Sequence, residues 1–202
     1  MSCHWTLLHI QWPWWPLTQL LIGFFALMWL GELTNPDNKT IHNPSKITKQ
    51  TSGKINHDSF QFFLPGHKAD KLFEGNTIML MKPTSEHRIN TFQHFTAYLQ
   101  SQDEAFLYSL LLWLCSNGTV STCSFFLSQL RLFFNKNITS QSMHAGGTTA
   151  LAESGTPPSP IQAISHWSPK SFHVYVCLKK PCLNSSFTSC LFQPAWLLCD
   201  IK

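Results

Sequence analysis

The sequence predicts an α+β domain, mainly helical, with a small antiparallel sheet. Three observations carry that prediction. Apolar residues recur at helical spacing in several segments. Two short runs rich in Phe, Ile, Leu and Met flank a Gly-bounded stretch, as the strands of a hairpin do. The composition is 44% hydrophobic and 13% aromatic against 12% charged, so there is apolar surface to bury and a disordered chain is excluded. A length of 202 residues suits one domain, or one domain with a tail. The 12 prolines and 9 glycines follow no period, which excludes a collagen-like repeat.

Taken in order, Leu17 to Leu33 reads as a hydrophobic helix closed at Thr34-Asn35-Pro36, because proline disfavours helical geometry in the residue before it. Within it, Leu20 to Leu30 is uncharged, and Trp12, Trp14 and Trp15 upstream suggest an interfacial aromatic belt. Spanning a bilayer takes about 20 apolar residues, and Pro13, Pro16 and Gln19 interrupt the approach. A buried core helix is therefore expected. No Lys or Arg precedes Lys39, so the positive start of a secretory signal is missing. Asn35 to Asp58 is polar and reads as a loop. Ser59 to Leu64 and Thr77 to Met81 read as strands joined by the long PGHKADKLFEGN connection. Arg88 to Gln102 reads as a helix with Ile89, Phe92, Phe95 and Leu99 on one face.

Leu110 to Cys115 is a short apolar run, either a strand or a helix end, followed by a turn at Asn117-Gly118. Ser121 or Thr122 can cap a helix running to Phe134, with Phe126, Leu127, Leu130 and Phe134 on its buried side. Ser142 to Ser154 reads as a helix ended by Gly155 in the left-handed cap position. Ser159-Pro160 and Ser168-Pro169 each place a capping serine before a proline, starting short helices over 160–166 and from Pro169 to about Lys179. After Lys180 the chain is rich in Cys, Ser and Phe without a clear period.

Charge and cysteine usage bound the function. A net charge of +4 permits a nucleic-acid partner without requiring one. The only arginines are Arg88 and Arg131, so the forked donors that usually hold phosphates are scarce. The cysteines (Cys3, Cys115, Cys123, Cys177, Cys182, Cys190 and Cys199) contain no CxxC pair, so no zinc site is expected. Their odd number does not suit a closed disulfide framework; reduced thiols in a nuclear or cytoplasmic protein are expected. Sequons at Asn38, Asn117, Asn137 and Asn184 would suit a membrane-anchored or secreted glycoprotein, but such triplets arise often by chance in Asn- and Ser-rich chains.

The order of the motifs is more informative than any one of them. A helix ends in LMWLGELT (27–34), a hairpin carries GHKADKLFEGN (66–76), a helix begins QSMHAGGTTALAESG (141–155), and IQAISHWSPKSFHVYV (161–176) follows. This series resembles the catalytic domain of tyrosine recombinases, the phage-integrase family of DNA breaking-and-rejoining enzymes, in the form carried by mobile elements of fungal genomes. The resemblance covers roughly residues 17–180, leaving 1–16 as a truncated N-terminal remnant and 181–202 as a tail. It implies a 3′-phosphotyrosyl intermediate that conserves the phosphodiester, so neither metal nor other cofactor is needed. DNA is the implied partner, with no membrane involved. Synapsis in the family links four protomers through C-terminal segments. The tail departs from such a segment, so that homo-oligomer is not expected here.

The resemblance assigns roles residue by residue. Tyr175 takes the nucleophile's place, although on periodicity alone it reads as a core aromatic. Lys68, with Lys71 as runner-up, takes the place of the lysine that protonates the leaving 5′-oxygen; as a residue by itself it is a solvated loop lysine. Trp167 takes the His-or-Trp place, where an indole N–H can donate to a phosphate oxygen. The family's first arginine falls on Trp29, the second on His144, and the leading His or Lys of the second box on Gln141. Both permanently charged donors are thus absent. Trp offers one neutral N–H, and histidine is mostly neutral at pH 7. Cys115, Cys123, Gln129 and His166 also stand at arginine-like positions. Single transitions in CG-starting arginine codons yield Trp, Cys, Gln and His, so the composition resembles that of a decayed mobile-element gene. The expected product is a pseudoenzyme, inactive in strand cleavage. The alternatives are a non-catalytic DNA-binding remnant and, behind it, the glycoprotein.

Overall fold

A computed structural model describes residues 14–66, 74–83, 89–132, 134 and 137–165. Helix α1 spans Trp14–Phe25, with Pro16 in the first turn, where a missing N–H breaks no helical bond. Leu17, Leu20, Leu21, Ile22 and Phe24 are buried, and so are Thr18 and Gln19, so this helix is enclosed on nearly every side. Among the described residues no helix is long and apolar enough to cross a membrane.

The helix expected over 17–33 is divided. The Met28 N–H donates to the Gly23 carbonyl (2.8 Å) and the Leu27 N–H to the Phe24 carbonyl (3.4 Å), the pair of bonds of a Schellman cap. Leu27 stands at φ 52, a left-handed conformation that costs a residue with a Cβ about 1–2 kcal/mol. Its side chain is buried against Ile161, which offsets the strain. A leucine in the place usually taken by glycine is why the break is silent in the sequence. A short helix α2, Leu30–Leu33, follows.

The segment read as a loop over 35–58 is a chain of three 3-10 turns, Lys39–Ile41, Pro44–Lys46 and Gln50–Ser52. The carboxamides of Asn38 and Asn43 cap the first two by accepting from the Thr40 and Ser45 N–H groups, 3.0 Å each. It ends in a two-residue strand β1, Lys54–Ile55, too short for any alternation to announce it. Strands β2 (Ser59–Leu64) and β3 (Asn76–Met81) complete a three-stranded antiparallel sheet in the order β1-β2-β3. Phe60 pairs with Leu80 and Phe62 with Ile78, and the period of two sends Phe60, Phe62 and Leu64 inward. The strand readings hold, with β3 starting one residue earlier than expected.

Helix α3 spans Thr91–Ala105, three residues later than expected at its start, because Asn90 supplies the cap: its Oδ1 accepts from the Gln93 N–H at 3.0 Å. Its buried face is Thr91, Phe95, Tyr98 and Gln102; Phe92 and Leu99 are only partly covered and Ile89 lies before the cap. Phe95 stacks on Phe60 with ring centroids 4.1 Å apart, joining the helix to the sheet. The Tyr98 hydroxyl donates to the Leu112 carbonyl (2.8 Å) and accepts from the Leu114 N–H (2.9 Å) and the Gln102 amide. Those bonds anchor the 110–115 run, which is extended rather than helical and turns back at Asn117-Gly118 so that Leu114 bridges Val120. Burial raises the Tyr98 hydroxyl pKa far above the usual phenol range, so it stays protonated.

Helix α4 spans Cys123–Leu130, capped by Thr122, whose hydroxyl accepts from the Phe125 N–H at 3.4 Å. It stops short of the expected end at Phe134. Phe126, Leu130 and Phe134 are buried as expected, and Leu127 is half-buried. Asp37 reaches this helix from outside: its Oδ1 accepts from the Ser124 O–H (2.5 Å) and N–H (3.0 Å). Both bonds favour the carboxylate and hold its pKa below the ordinary value. A depressed folded-state pKa adds stability above the unfolded value of about 3.9 and loses it as pH falls through the folded one. The stability gap between wild type and Asp37→Ala, read from urea midpoints, is therefore expected to be constant from pH 7 to 5 and to close below pH 4. A gap unchanged at low pH would show that the carboxylate charge plays no part.

Helix α5, Ser142–Glu153, ends at Ser154 with Gly155 at φ 83, as the sequence indicates. Helix α6, Pro158–Ser165, starts two residues before Pro160. The second short helix expected from Pro169, the 1–13 segment and the 181–202 tail lie outside the described residues.

Candidate functional site

The small residues of α5 determine where it sits. A Cβ on Gly147 would lie 2.3 Å from the Phe24 carbonyl oxygen and 2.7 Å from Leu27 Cδ2. Helix α5 therefore crosses the C-terminal end of α1 at a distance only glycine allows. Its first turn, which carries His144, is thereby set against the α1–α2 turn, which carries Trp29.

Trp29 is the residue before α2, in extended geometry (φ −77, ψ 149). Its backbone N–H donates to Glu32 Oε2 at 2.8 Å, half of a capping box; an indole has no acceptor for the other half. The indole stacks on the His144 imidazole with centroids 4.3 Å apart and planes at 29°. His144 is fully buried, and its Nε2 lies 3.2 Å from the Ser165 carbonyl oxygen. A carbonyl only accepts, so Nε2 carries the proton in that bond. Thus the last residue of α6 is bound to the first turn of α5.

Positions 29 and 144, far apart in sequence, come together. His144 is sealed beneath the indole and the Ser165 carbonyl. Gln141 is exposed immediately before α5; its side chain caps nothing and its carbonyl accepts from the Ala145 N–H at 2.9 Å. Tyr175, Lys68, Lys71 and Trp167 lie outside the described residues, as does His166. Cys115 is buried in the core, and burial raises its thiol pKa. Cys123 Sγ is 3.0 Å from Thr34 Oγ1, and Gln129 is half-buried on α4. Sequence reasoning did not single out Leu27 or Ser165. The first has no local signal, and the second acts through its main chain alone.

Two stacked rings make a packing contact. A phosphate clamp needs charged donors converging on one point, and the imidazole N–H seen here is engaged by a main-chain carbonyl. Among the described residues no three His, Cys, Asp or Glu side chains come together as a metal site requires.

No protein-family model matches the chain, and no curated protein does. Among solved structures it is similar to the XerH site-specific recombinase bound to its difH substrate in a pre-cleavage complex. That likeness has 14% identity and a TM-score of 0.52, over 82% of this chain and 44% of the other. It is similar also to XerH bound to a palindromic difH substrate in a post-cleavage complex, with 15% identity and a TM-score of 0.53 over 86% of this chain and 45% of the other. The chain spans less than half the length of these solved chains. At such identity the likeness is one of fold. The chain has the mainly helical α+β fold, with a small antiparallel sheet, of a tyrosine recombinase catalytic domain.

Proposed function

We propose that the chain is a degenerate tyrosine recombinase domain that binds DNA and has lost strand cleavage and rejoining. The observation that carries this is the meeting of Trp29 and His144. The two positions that the motif order matches to the family's phosphate-holding arginines lie in one stack, although nothing local in the sequence links them. That is the juxtaposition a phosphate clamp would need, made here from side chains that carry no permanent charge. In this reading Tyr175 is the former nucleophile, Lys68 the former proton donor to the leaving oxygen, Trp167 a donor to the phosphate and Gln141 the replacement for the basic residue that leads the second box. The reaction needs no metal or other cofactor, since the phosphotyrosyl link stores the bond energy. A mobile-element origin agrees with neutral residues at so many arginine-like positions.

DNA binding can outlast the chemistry because it draws on different residues. Lys39, Lys46, Lys49 and Lys54 are all exposed along the turns that lead into the sheet. Retention on a short duplex is expected to fall as salt rises, with a log–log slope of about −0.9 for each phosphate neutralised. Replacing these four lysines by methionine is expected to flatten the slope. A chain that does not hold duplex DNA even at low salt would remove the DNA-binding half of the proposal.

A further inference from the structure

We infer that the outer edge of β3 is the seam of a homodimer, paired antiparallel with β3 of a second copy of this chain. None of the residues assigned to the recombinase reaction takes part, so this does not rest on the function proposed above. It is also a different contact from the family's assembly through C-terminal segments.

The three-stranded sheet ends differently on its two sides. On one side β1 is only two residues long, one of them Lys54, and the Phe63 N–H donates to the Ser52 hydroxyl at 3.2 Å. Short length and a lysine are common guards of a sheet edge. On the other side β3 runs six residues, NTIMLM, with neither a charge nor a proline. Among the described residues no strand pairs with its outer side. The ladder fixes which groups that edge offers. The Lys82 N–H donates to the Asp58 carbonyl at 2.7 Å, so Asp58 and Lys82 form a hydrogen-bonded pair. The alternation of an antiparallel ladder then makes Phe60–Leu80 and Phe62–Ile78 bonded pairs as well. The N–H and C=O groups of Thr77, Met79 and Met81 therefore point away from β2, and these are the exposed residues of the strand.

An extended strand completes such an edge, and β3 itself fits. Pairing about a two-fold axis at Met79 sets Thr77 of each copy against Met81 of the other and engages all three outward residues. On the core side it sets Ile78 of each copy against Leu80 of the other, residues only partly covered within one copy. They form close non-hydrogen-bonded pairs across the seam. The flanks select the direction. Glu74 precedes the strand and Lys82 follows it, both exposed. Antiparallel alignment brings Glu74 of each copy diagonally toward Lys82 of the other, whereas parallel alignment sets like charge beside like.

Sedimentation equilibrium of the full-length protein is the test. A single strand seam buries less than the roughly 1,200–2,000 Å² of a standard interface, so a dimer that dissociates in the micromolar range is expected. Its apparent mass should rise toward twice that of the chain with concentration. Met79→Lys places like charges across the axis and is expected to weaken association about tenfold. Met79 is 58% exposed, so the exchange leaves the core untouched. Met79→Pro deletes an N–H that takes no part in the β2 ladder; it is expected to act alike and serves if the lysine variant folds poorly. Hydrogen exchange locates the seam. The amides of Met79 and Met81 should gain protection with concentration, while those of Ile78 and Leu80 are protected throughout. A protein monomeric at every concentration overturns the inference and leaves the edge to an extended segment of another protein. A dimer of wild-type strength in both variants overturns it too, since the copies would then meet elsewhere.

Discussion

No covalent adduct is expected when the purified protein meets a nicked suicide substrate, whereas the double variant Trp29→Arg/His144→Arg is expected to recover a trace of one. In the family's mechanism a tyrosine with an unperturbed pKa near 10 attacks a phosphodiester whose oxygens gain charge in the transition state. Removing one charged donor from such a site costs roughly 10²–10³ in rate, and two losses in one clamp need not add. Non-additivity is expected here because the two side chains touch, with centroids 4.3 Å apart. Arginine at 144 alone would bury a guanidinium beneath the indole, in a position that is fully sealed from solvent. Arginine at 29 alone would face the neutral imidazole. Each single variant should therefore be as silent as the parent, and Tyr175→Phe in the double variant should abolish the trace. An adduct formed by the unmodified chain through Tyr175 would show that the missing guanidinium groups are dispensable.

The second large effect concerns stability. Gly147→Ala is expected to destabilise the fold by about 3 kcal/mol, the upper part of the range for forcing an atom into a packed contact. The obstacle at 2.3 Å is the Phe24 carbonyl oxygen, main chain within α1, and it cannot swing aside as a side chain can. Helix α5 would have to lift from the end of α1, and the Trp29–His144 stack would open with it. The near-ultraviolet circular dichroism of the folded variant should change for that reason. Gly31→Ala is the control: its new Cβ meets nothing within 4 Å, so it should be neutral or slightly stabilising in α2. Urea denaturation of the three proteins measures both effects. Equal midpoints for Gly147→Ala and wild type would mean that α5 does not pack on α1 this closely.

Elements whose signals are local were legible. Strand β2 was read with its observed bounds from an apolar run between turn residues, and the Gly155 cap from the position of a glycine after a helical stretch. Boundaries were displaced where a side chain nearby made the decision. Asn90 moved the start of α3, and the Leu27 cap divided the helix expected over 17–33 although no glycine announced it. The buried face of α3 was rotated because Tyr98 and Gln102 are polar enough to look exposed. They are buried because the carbonyl of Leu112 and the N–H of Leu114 are there to receive them.

The candidate site divides in the same way. By itself the sequence determined which residue types stand at the motif positions, and hence that Trp29 and His144 carry no permanent charge. It determined the α+β class as well, through periodicities that act within a few residues. Only the tertiary structure decided that these two residues meet, that the imidazole is sealed, and that its N–H is engaged by Ser165. Those outcomes depend on how close α5 can approach α1. That distance is set by an absent Cβ and a carbonyl oxygen more than a hundred residues apart, a relation that no local pattern encodes.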